Sequence, residues 1–221
     1  MTVAVAVVVP VYRNAATLAP LVDRLAAALA GRDWRVHLVV DASPDDSADV
    51  AQGLAGPRVV VSVLPRNVGQ HKALEEGLRR EPDADAWVCL DADLQDPPEA
   101  VPALLDRLTA SDRPAAVFAG RRGRYETRLR LLTGRAHRAL LSRLTGLPPD
   151  AGAFLALDAR ARDAVLRLQA PSLVAAVGAA RLPTASVPVD RDVRREGESS
   201  WTARARLRQS ARTLLWAARR R

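Results

Sequence analysis

The sequence predicts a single α/β domain built on a mostly parallel sheet that is flanked by helices. Short Val-rich runs alternate with longer segments of helical periodicity between residues 3 and 119. This alternation, at the spacing of right-handed βαβ units, is typical of a parallel sheet. The chain has 221 residues, of which 48% are hydrophobic and 26% are charged, so it can bury a substantial core and is globular rather than disordered.

The first strand is predicted from a continuously apolar run at residues 3–9, because a strand covered on both faces shows no alternation. Short, mostly apolar segments predict strands at 35–40, 58–63, 86–90 and 115–119, and further strands are expected at 153–157 and 184–189. Helical periodicity predicts helices at 15–30, 45–54, 70–80 and 98–108, and a basic helix at 203–221. A strongly basic segment with apolar residues at helical spacing occupies residues 121–143.

Polar clusters follow four of the predicted strands. They lie at residues 12–14, 41–46, 66–71 and 91–96. Ligands of parallel sheets bind beyond the carboxyl ends of the strands. We therefore expect the four clusters to converge on one edge of the sheet and to form the functional site.

The most informative cluster is acidic and follows a buried strand. Asp91 and Asp93 leave that strand together with Gln95. Two adjacent carboxylates repel each other unless a positive charge lies near them, and hard oxygen ligands suit Mg²⁺ or Mn²⁺. The alternative is that both aspartates only cap the turn that follows.

The charge pattern favours anionic ligands. The net charge is +8, which attracts nucleotide diphosphates, lipid phosphates, a membrane surface or nucleic acid. Nucleic acid is excluded as a partner, because no binding motif and no interleaved aromatic residues accompany the charge. The single cysteine, Cys89, lies in an apolar run and is predicted to be a buried strand residue.

Membrane-spanning and secretion signals are missing from the sequence. No apolar stretch reaches the roughly 18 to 20 residues that a spanning helix requires. The run at 3–9 lacks a basic flank and ends at Pro10, so it does not resemble a signal peptide. We expect a cytoplasmic protein, with peripheral attachment to the inner face of the cell membrane as a further expectation.

Four segments in a fixed order resemble the family-2 glycosyltransferases. They are Val-Pro-Val-Tyr at 9–12, Val-Asp-Ala-Ser-Pro-Asp-Asp-Ser at 40–47, Arg-Asn-Val-Gly-Gln-His at 66–71 and the acidic segment at 91–99. Within that family the chain is most similar to the polyprenyl-phosphate sugar transferases of the dolichyl-phosphate mannose synthase type. Segments 149–154 and 194–199 resemble two further elements of these enzymes. The resemblance spans residues 3–202 and implies a GT-A fold.

The resemblance implies a role for each matching residue. The residues expected to bind the nucleotide sugar are Pro10, Tyr12, Asp41, Arg66, Gln70 and Asp91. The expected metal ligands are Asp93 and Gln95, and the expected catalytic residues are Asp91, Asp93 and Arg194. The residues expected to contact phosphate or acceptor are Arg121, Asp150, Arg194 and Ser199. Two positions depart from the family pattern, because Val40 replaces a frequent acidic residue and Ser200 replaces a frequent basic residue.

The implied reaction is a metal-dependent, inverting transfer of a hexose from a nucleoside diphosphate sugar to a polyprenyl phosphate. One alternative is a transferase of the same fold that acts on a hydroxyl acceptor, with Asp150 as its base. Another is a non-catalytic relative that acts through a partner. Residues 1–201 are expected to form the catalytic domain. The basic helix 202–221 would lie on a membrane, contact a membrane partner protein, dock on the domain or mediate dimerisation.

Overall fold

A computed structural model describes residues 4–122, 142–143, 145–190 and 203–219. The strands are β1 (Ala4–Val11), β2 (Asp33–Val40), β3 (Val59–Val63), β4 (Ala86–Cys89), β5 (Ala116–Arg122), β6 (Leu155–Leu157) and β7 (Thr184–Asp190). The helices are α1 (Ala15–Ala28), α2 (Ser47–Gly53), α3 (Gln70–Arg80), α4 (Val101–Leu108), α5 (Ala159–Leu168), α6 (Leu173–Ala179) and α7 (Ala203–Ala218). A 3₁₀ turn, Pro98–Ala100, leads into α4.

All of these strands form one sheet in the order β3-β2-β1-β4-β6-β5-β7. The short strand β6 runs antiparallel to both of its neighbours, and the other neighbouring strands pair in parallel. The predicted α/β fold with a mostly parallel sheet is confirmed. The carboxyl ends of β1, β2, β3, β4, β5 and β7 therefore meet at one edge, which we call the carboxyl edge.

The continuous apolar run of β1 is explained by helices on both faces of the sheet. Val7 and Val9 of β1 belong to the core that includes α1 and α4. Val8, between them, belongs to the core that includes α3, α5 and α6. Successive strand residues point to opposite faces, so both faces of β1 must be apolar.

Helix α3 packs unusually close to the sheet. A Cβ atom on Gly77 would lie 2.3 Å from Cγ1 of Val8 and 3.0 Å from Cγ2 of Val39. Both distances are shorter than a van der Waals contact, so a glycine is needed at this point of the helix. The close contact fixes where the first residues of α3 lie relative to the carboxyl edge.

Strand β1 extends two residues beyond its predicted end. The prediction ended the strand before Pro10, which lacks the N–H that a ladder requires. In the structure, Leu90 N donates to the Val8 carbonyl, and Asp41 N donates to the Val11 carbonyl. Because the side of the bonds alternates along the strand, Pro10 faces β4, which pairs with β1 only as far as Cys89. The proline therefore lies just beyond the last paired residues of β1 and β4, while β1 stays paired with β2 through Val11.

Helix α7 docks on the domain by one face. Thr213 and Ala217 are buried, and Trp216 packs against the core cluster that includes α3, α5 and α6. In the described part of the chain, no helix has both the length and the apolar character needed to cross a membrane.

Candidate functional site

Three loops at the carboxyl edge carry a strained backbone. Arg13, Ala42 and Leu94, which follow β1, β2 and β4, have φ angles of 58°, 46° and 58°. L-residues other than glycine rarely occupy this left-handed region, and such residues concentrate at functional sites. Arg113, Gln169 and Arg181 also have positive φ angles but lie in loops outside the carboxyl edge, so the strained loops accompany the polar clusters without marking the site by themselves.

The loops after β1 and β2 are tied to each other. Arg13 N donates to Ser43 Oγ at 2.7 Å, and Asn14 N donates to Ser47 Oγ at 2.9 Å. Ser43 Oγ in turn donates to Asp45 at 2.6 Å. Partial burial would raise the pKa of Asp45, but the hydrogen bonds from Ser43 and Ser47 outweigh it, and the pKa is lowered. The Asp45 carboxylate thus stays ionised and anchors both serines.

Asp41 connects the β2 loop to the start of α3. Its side chain is buried, and its two oxygens accept the backbone N–H groups of Val68 at 2.7 Å and Gly69 at 2.8 Å. Gly69 has a φ of 87°, which glycine adopts without strain. The carboxylate therefore shapes the loop that precedes α3.

The acidic segment is held by two neighbouring elements. Gln70 Nε2 donates to Oδ1 of Asp91, and Thr17 Oγ1 donates to the carbonyl of Ala92 at 2.6 Å. Within the segment, Gln95 N donates to Oδ1 of Asp93 at 3.1 Å. One oxygen of Asp93 therefore caps the turn that follows, which is the role that the alternative interpretation of the two aspartates predicted. The first residue of α3 and the end of β4 are brought together across 21 residues of sequence.

His71 lies beside this contact and was not among the predicted site residues. Its ring is partly buried, and Nδ1 is inaccessible and has no hydrogen-bond partner. Burial lowers the pKa of His71 to about 4, so the ring is neutral at neutral pH. Its position directly after Gln70 was the only sequence signal for it.

Asp150 lies against the far part of the same sheet. Its Oδ2 accepts a hydrogen bond from Ser186 Oγ at 2.8 Å, whereas its buried Oδ1 has no hydrogen-bond partner. A Cβ on Gly120 would lie 2.1 Å from Asp150 Oδ2, so glycine leaves the room that this carboxylate occupies. Sequence reasoning proposed Asp150 but missed Gly120 and Ser186, since only the fold brings these three residues together.

The other predicted site residues occupy different positions. Pro10 is buried at the end of β1, and Tyr12 is half-buried with the Arg13 guanidinium 5.6 Å from its ring centroid. Arg66 is exposed and lines a surface groove with Lys72. Arg121 belongs to β5 by its backbone, but its side chain, Arg194 and Ser199 lie outside the described residues.

The oxygen atoms at the end of β4 suit a hard divalent cation. Asp91 and Asp93 supply carboxylates, and Gln95 supplies an amide oxygen. No group of three or more His, Cys, Asp or Glu side chains with metal-binding geometry occurs in the residues that the structure describes. An ion here would need oxygen ligands from a substrate or from water, which is the usual coordination of Mg²⁺.

Comparisons with known proteins agree with this geometry. The model of the family described as "Glycosyl transferase family 2" matches residues 6–157. An undecaprenyl-phosphate 4-deoxy-4-formamido-L-arabinose transferase of Shewanella sediminis is 34% identical over 207 residues, covering 89% of this chain and 61% of that protein. The protein of the same name from Enterobacter sp. is 37% identical over 147 residues, covering 64% of this chain and 44% of that protein. This chain therefore spans about half the length of these relatives.

Solved structures share the fold at low sequence identity. Glucosyl-3-phosphoglycerate synthase from Mycobacterium tuberculosis, in complex with phosphoglyceric acid, matches 99% of this chain and 80% of its own chain, with a TM-score of 0.74 and 19% identity. Mannosyl-3-phosphoglycerate synthase from Rubrobacter xylanophilus matches 99% of this chain and 74% of its own, with a TM-score of 0.68 and 17% identity. The sequence match and the shared architecture lead to one conclusion: the chain belongs to glycosyl transferase family 2 and has a GT-A-like fold.

Proposed function

We propose that the protein transfers a sugar from a nucleoside diphosphate sugar to a polyprenyl phosphate with the help of Mg²⁺ or Mn²⁺. The observation that carries this proposal is the contact between Gln70 and Asp91, which joins the start of α3 to the acidic segment. A helix N-terminus favours phosphate groups, and the acidic segment favours a divalent cation. The names of the sequence relatives support a polyprenyl-phosphate acceptor.

The proposal leaves open whether the transferred sugar is a hexose or a pentose. The sequence analysis expected a hexose, whereas the sequence relatives are named for a formamido-arabinose, which is a pentose. We therefore propose transfer of a glycosyl group and test hexose and pentose donors side by side. The structural relatives, with bound Mn²⁺, UDP and UDP-glucose in solved complexes, add support for a uridine nucleotide and a metal.

The donor would bind across the loops of the carboxyl edge. Pro10 and Tyr12 would frame the nucleotide, and Asp41 would act mainly by holding the loop at 66–69 in shape. Asp91, oriented by Gln70, would bind the ribose or the sugar. Asp93 and Gln95 would hold a divalent metal ion, which would supply positive charge for the leaving diphosphate. Arg194 and Ser199 would contact phosphate oxygens.

The reaction needs no strong base when the acceptor is a phosphate. An oxygen of the polyprenyl phosphate, already anionic at neutral pH, attacks the anomeric carbon from the side opposite the diphosphate. The bond between that carbon and the diphosphate oxygen breaks, and its electron pair leaves with the nucleoside diphosphate. No proton is transferred, and the configuration inverts. Catalysis then rests on positioning and on stabilisation of the leaving group.

A hydroxyl acceptor is the second candidate, and the geometry of Asp150 supports it. A hydroxyl group must lose a proton, and the buried Oδ1 of Asp150 has no hydrogen-bond partner. Because this oxygen is inaccessible to solvent, the Asp150 side chain would have to turn towards the acceptor before it could take the hydroxyl proton. With a phosphate acceptor, the same carboxylate would only bind a sugar hydroxyl or shape the pocket.

Transfer of radiolabelled sugar tests both candidates. UDP- and GDP-linked hexoses and pentoses are incubated with undecaprenyl phosphate in detergent, with Mg²⁺, with Mn²⁺ or with EDTA. We expect label in the lipid fraction only with a metal, and a loss of at least about 100-fold in Asp93→Asn. Asp83→Asn, an exposed carboxylate of the same charge outside the carboxyl edge, serves as the matched control and should keep full activity.

The outcomes separate the acceptors. If Asp150→Asn leaves transfer to lipid within a few-fold of the parent, no base is required and the phosphate acceptor stands. The protein could instead consume the donor in a metal-dependent way without forming a lipid product. If Asp150→Asn abolished this consumption, a hydroxyl acceptor would be favoured. If the protein binds neither donor nor metal, the proposed catalytic function is wrong.

A further inference from the structure

Helix α7 has two opposite faces of different character. Thr213 and Ala217 are buried at 2% and 5% exposure and attach the helix to the domain. The opposite face is exposed and is formed by Arg208, Ala211, Arg212, Leu215, Ala218 and Arg219. At about 100° per residue, this exposed face spans roughly a third of the helix circumference and is centred opposite the buried contact. We call it the α7 outer face.

The α7 outer face is divided into an apolar and a basic stripe. Ala211, Leu215 and Ala218 follow one another at helical spacing, and Leu215 is 61% exposed. The arginines at 208, 212 and 219 form the adjacent stripe. Leu215 is one of three exposed large hydrophobic residues in the described part of the chain, and it lies directly beside these arginines.

The charge of the chain is concentrated in this segment. Residues 203–221 contain seven arginines and no acidic residue, so they account for seven of the eight net positive charges. The remainder of the chain is therefore close to neutral. Four of these arginines lie in α7 and three follow its last residue, so this segment of the sequence will dominate attraction to an extended anionic surface.

We propose that the α7 outer face is a docking surface for an anionic lipid membrane. The stripe of arginines complements anionic headgroups, and the adjacent leucine can enter the headgroup boundary, as in helices that lie in the plane of a membrane. The surface is narrow and convex, and lipid headgroups can adapt to such a surface. The inference rests on the geometry and charge of α7. It deepens the proposed function, because a polyprenyl phosphate acceptor is itself embedded in a membrane.

Vesicle sedimentation of the full chain tests the proposal. Vesicles of phosphatidylcholine alone are compared with vesicles of equal parts phosphatidylcholine and phosphatidylglycerol. We expect binding only to the anionic vesicles, and weaker binding as salt is raised. The variant R208Q/R212Q/R219Q should bind about 100-fold more weakly, since each arginine near an anionic surface strengthens binding about fivefold.

A matched variant controls for net charge. R113Q/R167Q/R181Q removes the same charge from exposed arginines outside α7 and should bind anionic vesicles like the parent chain. Leu215→Ser should weaken binding several-fold while keeping its salt dependence. Circular dichroism of each variant verifies that α7 still forms.

Several results would overturn the proposal. Equal weakening by the two triple variants would show a general charge effect without a docking face. Absence of vesicle binding would refute membrane docking. A concentration-dependent dimer that Leu215→Ser dissolves would assign the face to a second copy of the chain. Sugar transfer to undecaprenyl phosphate in detergent should be unchanged in R208Q/R212Q/R219Q, so failure of membrane docking and failure of the transferase activity are read separately.

Discussion

The two ends of helix α3 differ in how fully their polar groups are paired. The helix begins at the carboxyl edge, where Gln70 meets Asp91 and His71 keeps an inaccessible nitrogen without a partner. It ends in a buried network in which Glu81 accepts from His37 at 3.0 Å and pairs with Arg35 at 2.8 Å. Each end has one buried atom without an aligned hydrogen-bond partner, His71 Nδ1 and Glu81 Oε2, but Oε2 of Glu81 is also held by the ion pair with Arg35.

The network at the far end is closed by its neighbours. His37 Nε2 lies 2.8 Å from Ser62 Oγ, which also accepts from Arg80 at 3.1 Å. Trp87 Nε1 donates to the backbone carbonyl of Glu81 at 2.7 Å. A buried carboxylate is stable only when it has charged or hydrogen-bonding partners, and here Glu81 has both Arg35 and His37, whose second ring nitrogen is in turn paired with Ser62. The arrangement resembles a catalytic triad in geometry but is enclosed within the fold.

The largest predicted effect comes from breaking this network. Glu81→Ala leaves His37 and Arg35 without their acceptor, and we expect a loss of about 3 kcal/mol or more in the free energy of unfolding. Urea denaturation measures it. Glu76→Ala, on the exposed side of α3, removes pairs with Arg79 and Arg80 and should lose less than about 1 kcal/mol. Equal losses would mean that the buried network does not stabilise the fold more than a surface pair.

The next effect concerns the other end of α3 and depends on pH. Burial lowers the pKa of His71 from 6.5 to about 4, so the unfolded chain takes up a proton that the folded state resists. The folded state is therefore at full stability above pH 6.5 and loses up to about 3 kcal/mol as the pH falls towards 4. His71→Gln should reduce this pH dependence by that amount. Unfolding midpoints of both proteins across this range provide the test, and parallel curves would contradict it.

The middle of α3 gives a smaller effect. Gly77→Ala places a methyl group within 2.3 Å of Val8 Cγ1, so the helix must move outward. We expect a loss of about 1 to 3 kcal/mol from overpacking. Because α3 also carries Gln70, donor affinity should weaken in this variant as well. Gly53→Ala, whose added methyl meets nothing within 4 Å, is the control and should keep donor affinity. Unchanged stability in Gly77→Ala would show that α3 adjusts freely.

The strands and the position of the carboxyl edge could be predicted from the sequence. Strand positions followed from short, mostly apolar segments, because both faces of the sheet are covered. The carboxyl edge followed from polar clusters at the strand ends, and Cys89 is buried as predicted. Burial raises the pKa of its thiol, and the charge of Asp91 adds to this effect.

Contacts between distant segments could not be predicted in the same way. The three-residue strand β6 inserts between β4 and β5, and no local pattern specifies that order. The resemblance assigned Asp41 to nucleotide-sugar binding, and its hydrogen bonds to the amides of Val68 and Gly69 could not be read from the sequence. The meeting of Gly120, Asp150 and Ser186 likewise depends on the register of β5 and β7. Such pairings arise from tertiary packing, which single-sequence periodicity does not encode.

The smallest predicted effect tests whether the backbone at the carboxyl edge is strained. Ala42 has a φ of 46°, a conformation that glycine adopts without the steric cost of a Cβ. We expect Ala42→Gly to gain about 0.5 to 1 kcal/mol in stability, less the entropy that glycine adds to the unfolded chain. Ala26→Gly, in the exposed interior of α1, has no such strain to relieve and should lose about 0.5 to 1 kcal/mol. Opposite signs in thermal unfolding would establish local strain at Ala42. A loss in both variants would show that the loop after β2 accommodates alanine freely, and the strain would then be confined to the loops that carry Arg13 and Leu94.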